Sequence, residues 1–76
     1  MSEWSERSRS HDFGLTDREC RVLALLADGL ADQAIGGALA ISVATVESEV
    51  RAIMRKLGAA SRTEAAVRAM KSELIR

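Results

Sequence analysis

Cationic and small polar side chains recur at helical spacing along residues 42–57, which read SVATVESEVRAIMRKL. At about 100° per residue, Ser48, Arg51 and Arg55 fall on one side of a helix, and the residues beside them are small. Guanidinium groups donate several hydrogen bonds in a fixed fork that matches phosphate and other paired acceptors. The pattern indicates a surface that binds an acceptor-rich partner, although a solvated helix face would carry the same run of cations.

Residues for catalysis or metal binding do not form a recognisable set. The sequence lacks a nucleophile with its base, a catalytic pair of carboxylates and a cluster of metal ligands. His11 has no second ligand or base nearby, and Cys20 is interpreted as a small core residue. The pair Gly36-Gly37 lacks the strand and the lysine that a phosphate-binding loop requires. We therefore expect no enzymatic activity, no cofactor and no metal.

Length and composition favour one small domain. The chain has 76 residues, of which 47% are apolar and none is proline, and this suffices for a single core. The formal net charge is zero, so attraction to an anionic partner must come from local charge. The sequence has no apolar run of membrane-spanning length, no apolar core of a signal peptide and one cysteine. We expect a soluble, cytoplasmic protein.

The helix that presents the cations has its own ends and its own packing face. Ser42 is placed to cap the first turn, and Gly58 can adopt the left-handed conformation that ends a helix. Arg55 and Lys56 lie in the last turn, where cations offset the helix dipole. An apolar stripe at three- and four-residue spacing is predicted to face the core: Val46, Val50, Ile53 and Leu57.

The first predicted helix opens with a capping box, in which Thr16 and Glu19 satisfy each other's backbone donors. Gly29 ends this helix. Glu19 lies on its apolar side, so it serves either only as a cap or as half of a buried ion pair, for which Arg62 is the candidate partner. The predicted buried stripe of this helix consists of Val22, Leu23 and Leu26.

A short second helix is predicted from about Asp32 to Leu39, with Asp32 as its N-cap. The glycines at 36 and 37 cost roughly 1 kcal/mol each relative to alanine, and a close crossing of helices would explain at least one of them. Ala40-Ile41 then forms a tight turn into the cation-presenting helix. Two short helices joined in this way are a helix-turn-helix, whose second helix enters a DNA major groove.

The last predicted helix begins with a second capping box, Ser61 to Glu64, and runs to about Leu74. One side carries the larger residues, namely Thr63, Ala66, Val67, Met70 and Leu74. A second strip consists of the small residues Ala65, Ala69 and Ser72. This strip is interpreted either as a close contact between two copies in a twofold dimer or as alanine used as a helix former on an exposed face.

Residues 1–14 are rich in Ser, Arg and Glu and are predicted to be a flexible arm or linker that precedes a domain at 15–76. The two aromatic residues of the chain, Trp4 and Phe13, both lie in this arm. Either one of them docks on the domain or on a partner, or Phe13 packs as a lid while Trp4 stays loose.

Several motifs together carry a family resemblance: LTxRE from Leu15, Gly29-Leu30, IxxxLxIS from Ile35, Thr45-Val46, and IxxKLGxxSRxEA from Ile53. In this order they resemble the LuxR/GerE-type helix-turn-helix domain, which is also the output domain of NarL-type bacterial response regulators. The resemblance implies an all-α fold of four helices, with the third in the major groove and dimerisation largely through the fourth. It also implies structural roles for the positions of Glu19 and Arg62.

The resemblance implies DNA contacts on the third helix, where this sequence departs from the family at two positions. Glu47 stands where many members have a lysine that reaches DNA, and Glu49 stands where histidine is common. These acids tune specificity, weaken affinity, or mark a helix that now meets protein. The predicted DNA-binding residues are Thr45, Glu47, Ser48, Arg51, Arg55 and Lys56.

The sequence therefore predicts a sequence-specific bacterial transcription regulator of the LuxR type, acting as a dimer on double-stranded DNA. We expect it in the cytoplasm at the nucleoid, with RNA polymerase or another regulator as a further partner and no membrane association. The alternative prediction is a degenerate helix-turn-helix that serves as a protein-interaction module and binds DNA weakly or not at all.

Overall fold

The computed structural model describes residues 14–71, which form four α-helices and no strand. The helices are α1 (Asp17–Ala27), α2 (Asp32–Leu39), α3 (Val43–Leu57) and α4 (Arg62–Lys71). This confirms the all-α, four-helix prediction. Within this range, no helix combines the length and the apolar content that crossing a membrane requires. The predictions for the arm and for the end of the last helix concern Trp4, His11, Phe13, Ser72 and Leu74, which lie outside the described residues.

One core joins the four helices, and α3 lies against all three of the others. The predicted stripe of α3 is buried in full, as is the predicted stripe of α1. Burying a side chain of this size stabilises the fold by about 1.5–3 kcal/mol relative to leaving it exposed. The core residues on these two helices are Cys20, Val22, Leu23, Leu26, Val46, Val50, Ile53 and Leu57. Burial of this stripe fixes which side of α3 faces solvent.

Local hydrogen bonds at the ends of α1 and α3 confirm the predicted caps. The Glu19 N–H donates to Thr16 Oγ1 at 3.0 Å, and the Thr16 N–H donates to Glu19 Oε1 at 2.8 Å. Ser42 Oγ accepts a hydrogen bond from the Thr45 N–H at 3.0 Å. Gly58 ends α3 at φ 68°, in the left-handed region that glycine adopts without strain.

The turn between α2 and α3 depends on a close backbone approach at Gly36. The Ile41 N–H donates to the Gly36 carbonyl at 3.0 Å, and Ala40 takes φ 60° to make the turn. A Cβ at position 36 would lie 2.7 Å from the Ile41 carbonyl oxygen. The nearest neighbour of Gly36 is thus the turn itself, and Val46 Cγ2 of α3 follows at 3.6 Å. Gly37, by contrast, has open space around it.

The prediction that Asp32 caps α2 is wrong by one position. Ala31 is the N-cap residue and makes no side-chain cap hydrogen bond. Asp32 instead uses its carboxylate to accept a hydrogen bond from Arg62 Nη1 at 2.7 Å. Arg62 also lies 3.4 Å from the Leu30 carbonyl oxygen through Nη2. Asp32 is the first residue of α2, one position beyond the cap, and its carboxylate pairs with a cation from α4.

The two described alanines of the small-residue strip are buried, contrary to both interpretations of that strip. Ala65 and Ala69 are completely buried in the core of the single chain, so they are not available for a contact between two copies. Val67 and Met70 are instead 44% and 59% exposed. Small side chains let α4 approach its neighbours closely, and this requirement prevails over burial of the larger residues. Of the predicted dimer strip, only Ser72 is left, and it lies outside the described residues.

The second capping box forms with a changed partner. The Glu64 N–H donates to Ser61 Oγ at 3.0 Å, but Glu64 Oε1 accepts from the Ala60 N–H at 2.7 Å rather than from Ser61. The hydrogen bond from Ala60, followed by that from Arg68, lowers the pKa of Glu64 below its ordinary value. These hydrogen bonds of Glu64 therefore stabilise the folded state above the ordinary pKa of glutamate. This stabilisation is lost as the pH falls through the lowered pKa of Glu64.

Replacing the two adjacent glycines separately should change the free energy of unfolding in opposite directions. We expect Gly36→Ala to destabilise the fold by about 1–3 kcal/mol, because the added Cβ meets backbone that cannot move independently. Gly37→Ala should stabilise it by about 0.5–1 kcal/mol, because alanine is the better helix former and meets no neighbour. Urea denaturation followed by circular dichroism measures both. Equal effects of the two substitutions would contradict the described turn.

Candidate nucleic-acid interface

The side of α3 opposite its buried stripe is exposed to solvent. We call this side the outer face, and it consists of Ala44, Ser48, Arg51 and Arg55, with Glu47 at its edge. All five residues are exposed. The side predicted from periodicity to meet a partner is therefore accessible in the single chain, neither packed against another helix nor covered by a loop within residues 14–71.

The two arginines of the outer face are available to bind acceptors. Arg51 and Arg55 lie one helical turn apart, which places their side chains next to each other along the surface. Among the described residues, neither guanidinium group forms an ion pair with an acid. An exposed cation without an acidic partner keeps its hydrogen-bond donors free for phosphate oxygens or guanine edges.

Glu49 does not belong to the outer face. A step of two residues turns a helix by about 200°, so Glu49 points away from Glu47 and towards α1. Its Oε2 lies 3.5 Å from Arg18 Nε, and its side chain is only 18% exposed. The other oxygen, Oε1, is buried without a hydrogen-bond partner among the described residues. The two acids that the sequence placed together thus have different surroundings.

Lys56 is occupied by contacts inside the domain. Its Nζ donates to both carboxylate oxygens of Glu19, at 2.8 and 3.0 Å, and to the Gly14 carbonyl at 2.9 Å. All three ammonium donors therefore have acceptors within the domain, while the contact of Lys56 with DNA stays a prediction. The buried ion pair predicted for Glu19 does form, but with Lys56 rather than with Arg62.

Spacing along α3 places Lys56 on the same flank as Glu49, although it does not by itself identify the partner of Glu19. Lys56 follows Glu49 by seven residues, which is two helical turns, so both lie on the flank of α3 that packs against α1. Glu19 lies on the face of α1 that is turned to the core, and it is buried. From the sequence, Lys56 is predicted to be a cation of the last turn and a DNA contact, not an internal ion-pair partner.

Thr45 contributes to the start of α3 rather than to the centre of the outer face. Its hydroxyl oxygen lies 2.9 Å from Ser42 Oγ, and its N–H donates to the same atom. The side chain is half-buried. Of the predicted DNA-binding residues, the structure brings Ser48, Arg51 and Arg55 together on one face, with Glu47 at its edge and Thr45 at its beginning.

Removing the Lys56 cation should destabilise the domain more than removing its neighbour. Breaking a fully buried pair costs about 3–5 kcal/mol, and Lys56 keeps 29% of its side chain exposed. We therefore expect Lys56→Met to lower the free energy of unfolding by about 1–3 kcal/mol. Arg55→Met removes a cation from the same last turn and should cost less than about 1 kcal/mol. Urea denaturation compares them, and equal losses would contradict the role of the Glu19 contact.

The family described as "Bacterial regulatory proteins, luxR family" matches residues 14–69. The transcriptional regulatory protein DegU of Brevibacillus brevis is 45% identical over 58 residues, which cover 76% of this chain and 25% of DegU.

Two further relatives are also longer than this chain. The transcriptional regulatory protein LiaR of Bacillus subtilis is 37% identical over 70 residues, which cover 92% of this chain and 33% of LiaR. The HTH-type transcriptional regulator MalT of Serratia proteamaculans is 41% identical over 51 residues, which cover 67% of this chain and 6% of MalT. The chain thus spans a third or less of each of these relatives. Together with the four-helix fold and the helix-turn-helix at α2 and α3, the match shows that this chain belongs to the luxR family of bacterial regulatory proteins.

Proposed function

We propose that the domain binds double-stranded DNA in a sequence-specific manner, with α3 in the major groove. The observation that carries this proposal is the outer face of α3, where two guanidinium groups that have no acidic partner within residues 14–71 stand beside small side chains. Such groups donate to guanine O6 and N7 and to phosphate oxygens. The names of relatives such as DegU and LiaR, which are called transcriptional regulatory proteins, support the same function.

The dimensions of α3 suit the groove. Its 15 residues extend for about 22 Å, and a helix of ordinary diameter fits a major groove about 12 Å wide. Ala44 and Ser48 are small and exposed, so the helix backbone can approach the base edges closely. We assign Arg51 to base edges, since it lies near the middle of the helix, and Arg55 to the phosphate backbone, since it lies near the end.

The biological role follows from the family. We propose that the domain acts in transcription regulation in the bacterial cytoplasm, at the nucleoid. Because the chain spans a third or less of these relatives, its signal input and any contact with RNA polymerase or another regulator are also proposals.

We propose that two copies dimerise through the exposed side of α4 rather than through its alanines. Val67 and Met70 are exposed apolar residues on that side. They line a groove of about 370 Å³ between α4 and the end of α1, to which Leu26 and Leu30 also contribute. Contact between two such surfaces would remove apolar area from water and place two α3 helices on paired half-sites.

The alternative function, a protein-interaction module with weak or no DNA binding, has less support than DNA binding has. The basis of this alternative is the presence of two acids, Glu47 and Glu49, on α3. Since Glu49 is turned towards Arg18, only Glu47 adds negative charge to the edge of the outer face. One acid beside two available arginines leaves the face cationic.

Substitution of the outer-face arginines should weaken DNA binding in two distinguishable ways. We expect Arg51→Ala to lose about 1–3 kcal/mol on the preferred duplex and to relax the base preference at one position. Arg55→Ala should weaken binding to all sequences and reduce the slope of log K against log salt by about one. Fluorescence anisotropy with duplexes selected from a random pool, at several salt concentrations, measures both.

Arg68→Ala provides the control, because Arg68 is exposed on α4 and pairs with Glu64. It removes the same charge away from α3 and should change DNA affinity little. If the folded protein binds no duplex at low salt, or if Arg68→Ala weakens binding as much as Arg51→Ala does, the proposed function is wrong.

Introducing a charge on the exposed side of α4 should prevent self-association. We expect Met70→Glu to be a folded monomer at concentrations where the wild type is dimeric, because a carboxylate would have to leave water in the interface. Sedimentation velocity measures the mass. Lys71→Glu, an exposed change on the neighbouring position, is the control. A Met70→Glu variant that dimerises as the wild type does would exclude this surface.

A further inference from the structure

Glu47 is the acidic residue of α3 whose role the fold does not explain. It is exposed, and within residues 14–71 it forms no ion pair. Glu49, by contrast, is held against α1 by Arg18. Within residues 14–71, the Glu47 carboxylate therefore makes no ion pair that would stabilise the fold.

A carboxylate on a helix in the major groove weakens DNA binding unless it accepts a hydrogen bond from a donor on the DNA. Phosphates repel it, and three of the four bases offer it an acceptor on their major-groove edge. Guanine presents O6 and N7, thymine presents O4, and adenine presents N7 beside its N6 amino group. Cytosine alone presents only a donor, its N4 amino group. The chemistry of the groove thus leaves one good partner for this side chain.

Arg51 makes that partner more favourable. It follows Glu47 by four residues, so the two side chains lie next to each other on the helix surface. The guanidinium group matches guanine O6 and N7, while the carboxylate matches cytosine N4. A neighbouring guanine and cytosine in the groove would therefore meet a donor fork and an acceptor side by side, and the cation of Arg51 would offset the repulsion of Glu47 by phosphates.

We propose that Glu47 determines specificity by accepting a hydrogen bond from the N4 amino group of a cytosine close to the guanine that Arg51 reads. This inference rests on the proposed function, since it needs α3 in the major groove. In this proposal Glu47 contributes to base recognition, whereas a Glu47 carboxylate without a partner on the DNA would only weaken binding.

Selection of bound duplexes from a random pool, followed by affinity measurements on single-base variants, tests the proposal. The wild type should prefer cytosine at one position by about 5- to 150-fold over thymine or guanine. Glu47→Ala should lose the preference at that position alone. Glu47→Gln should shift it to adenine, because an amide can donate to N7 and accept from N6. Because Glu47 is exposed, all these variants should fold.

Glu49→Gln is the matched control, since it neutralises the same residue type on the same helix but faces α1. It should leave the base preference unchanged at every position. A duplex that carries N4-methylcytosine at the preferred position removes the major-groove donor. It should weaken binding of the wild type to the level of the thymine duplex and leave Glu47→Ala unaffected.

The outcomes separate this inference from the proposed function. If the wild type binds specific duplexes and Glu47→Ala keeps the same base preference at every position, the role of Glu47 is overturned and DNA binding stands. An unchanged affinity of the wild type for the N4-methylcytosine duplex would also overturn it. If no duplex is bound at all, the proposed function fails and this inference fails with it.

Discussion

The burial of one apolar stripe on α3 is the constraint on which the rest of the structure depends. Val46, Val50, Ile53 and Leu57 can leave water only if α3 lies against the other three helices, and this fixes its rotation about its own axis. Once that rotation is fixed, Ser48, Arg51 and Arg55 must face outward. The surface that we propose to meet DNA is therefore a consequence of how the core packs, not of a separate element.

One ion pair and one turn hold α3 in place at its two ends. At its beginning, the buried Gly36 lets the chain reverse tightly between α2 and α3. At its end, Lys56 joins α3 to Glu19 and to the backbone at Gly14. Arg62 and Asp32 similarly join α4 to α2. A chain of this size has a small core, so such contacts between distant segments help to keep α3 rigid.

Local spacing was sufficient to predict the parts of the fold that depend on neighbours in the sequence. The caps at Thr16 and Ser42, the stripe of α3 and the exposure of its outer face are all set within a few residues. Contacts over long separations were not predictable in this way. The partner of Glu19 is 37 positions away, and the choice of the alanine side of α4 for the core depends on the shape of the helices it meets. Helical periodicity alone turns Glu49 away from Glu47, but the contact of Glu49 with Arg18 arises only when α1 packs on one flank of α3.

The proposed function requires that the outer face of α3 is the surface that contacts DNA. Amide chemical shifts recorded by NMR during titration with a selected duplex test it most directly. We expect the largest shifts at Ala44, Ser48, Arg51 and Arg55, while the amides of α4 change little at a constant oligomeric state. Shifts concentrated on α4 or on the exposed side of α1, with the outer face unchanged, would contradict it.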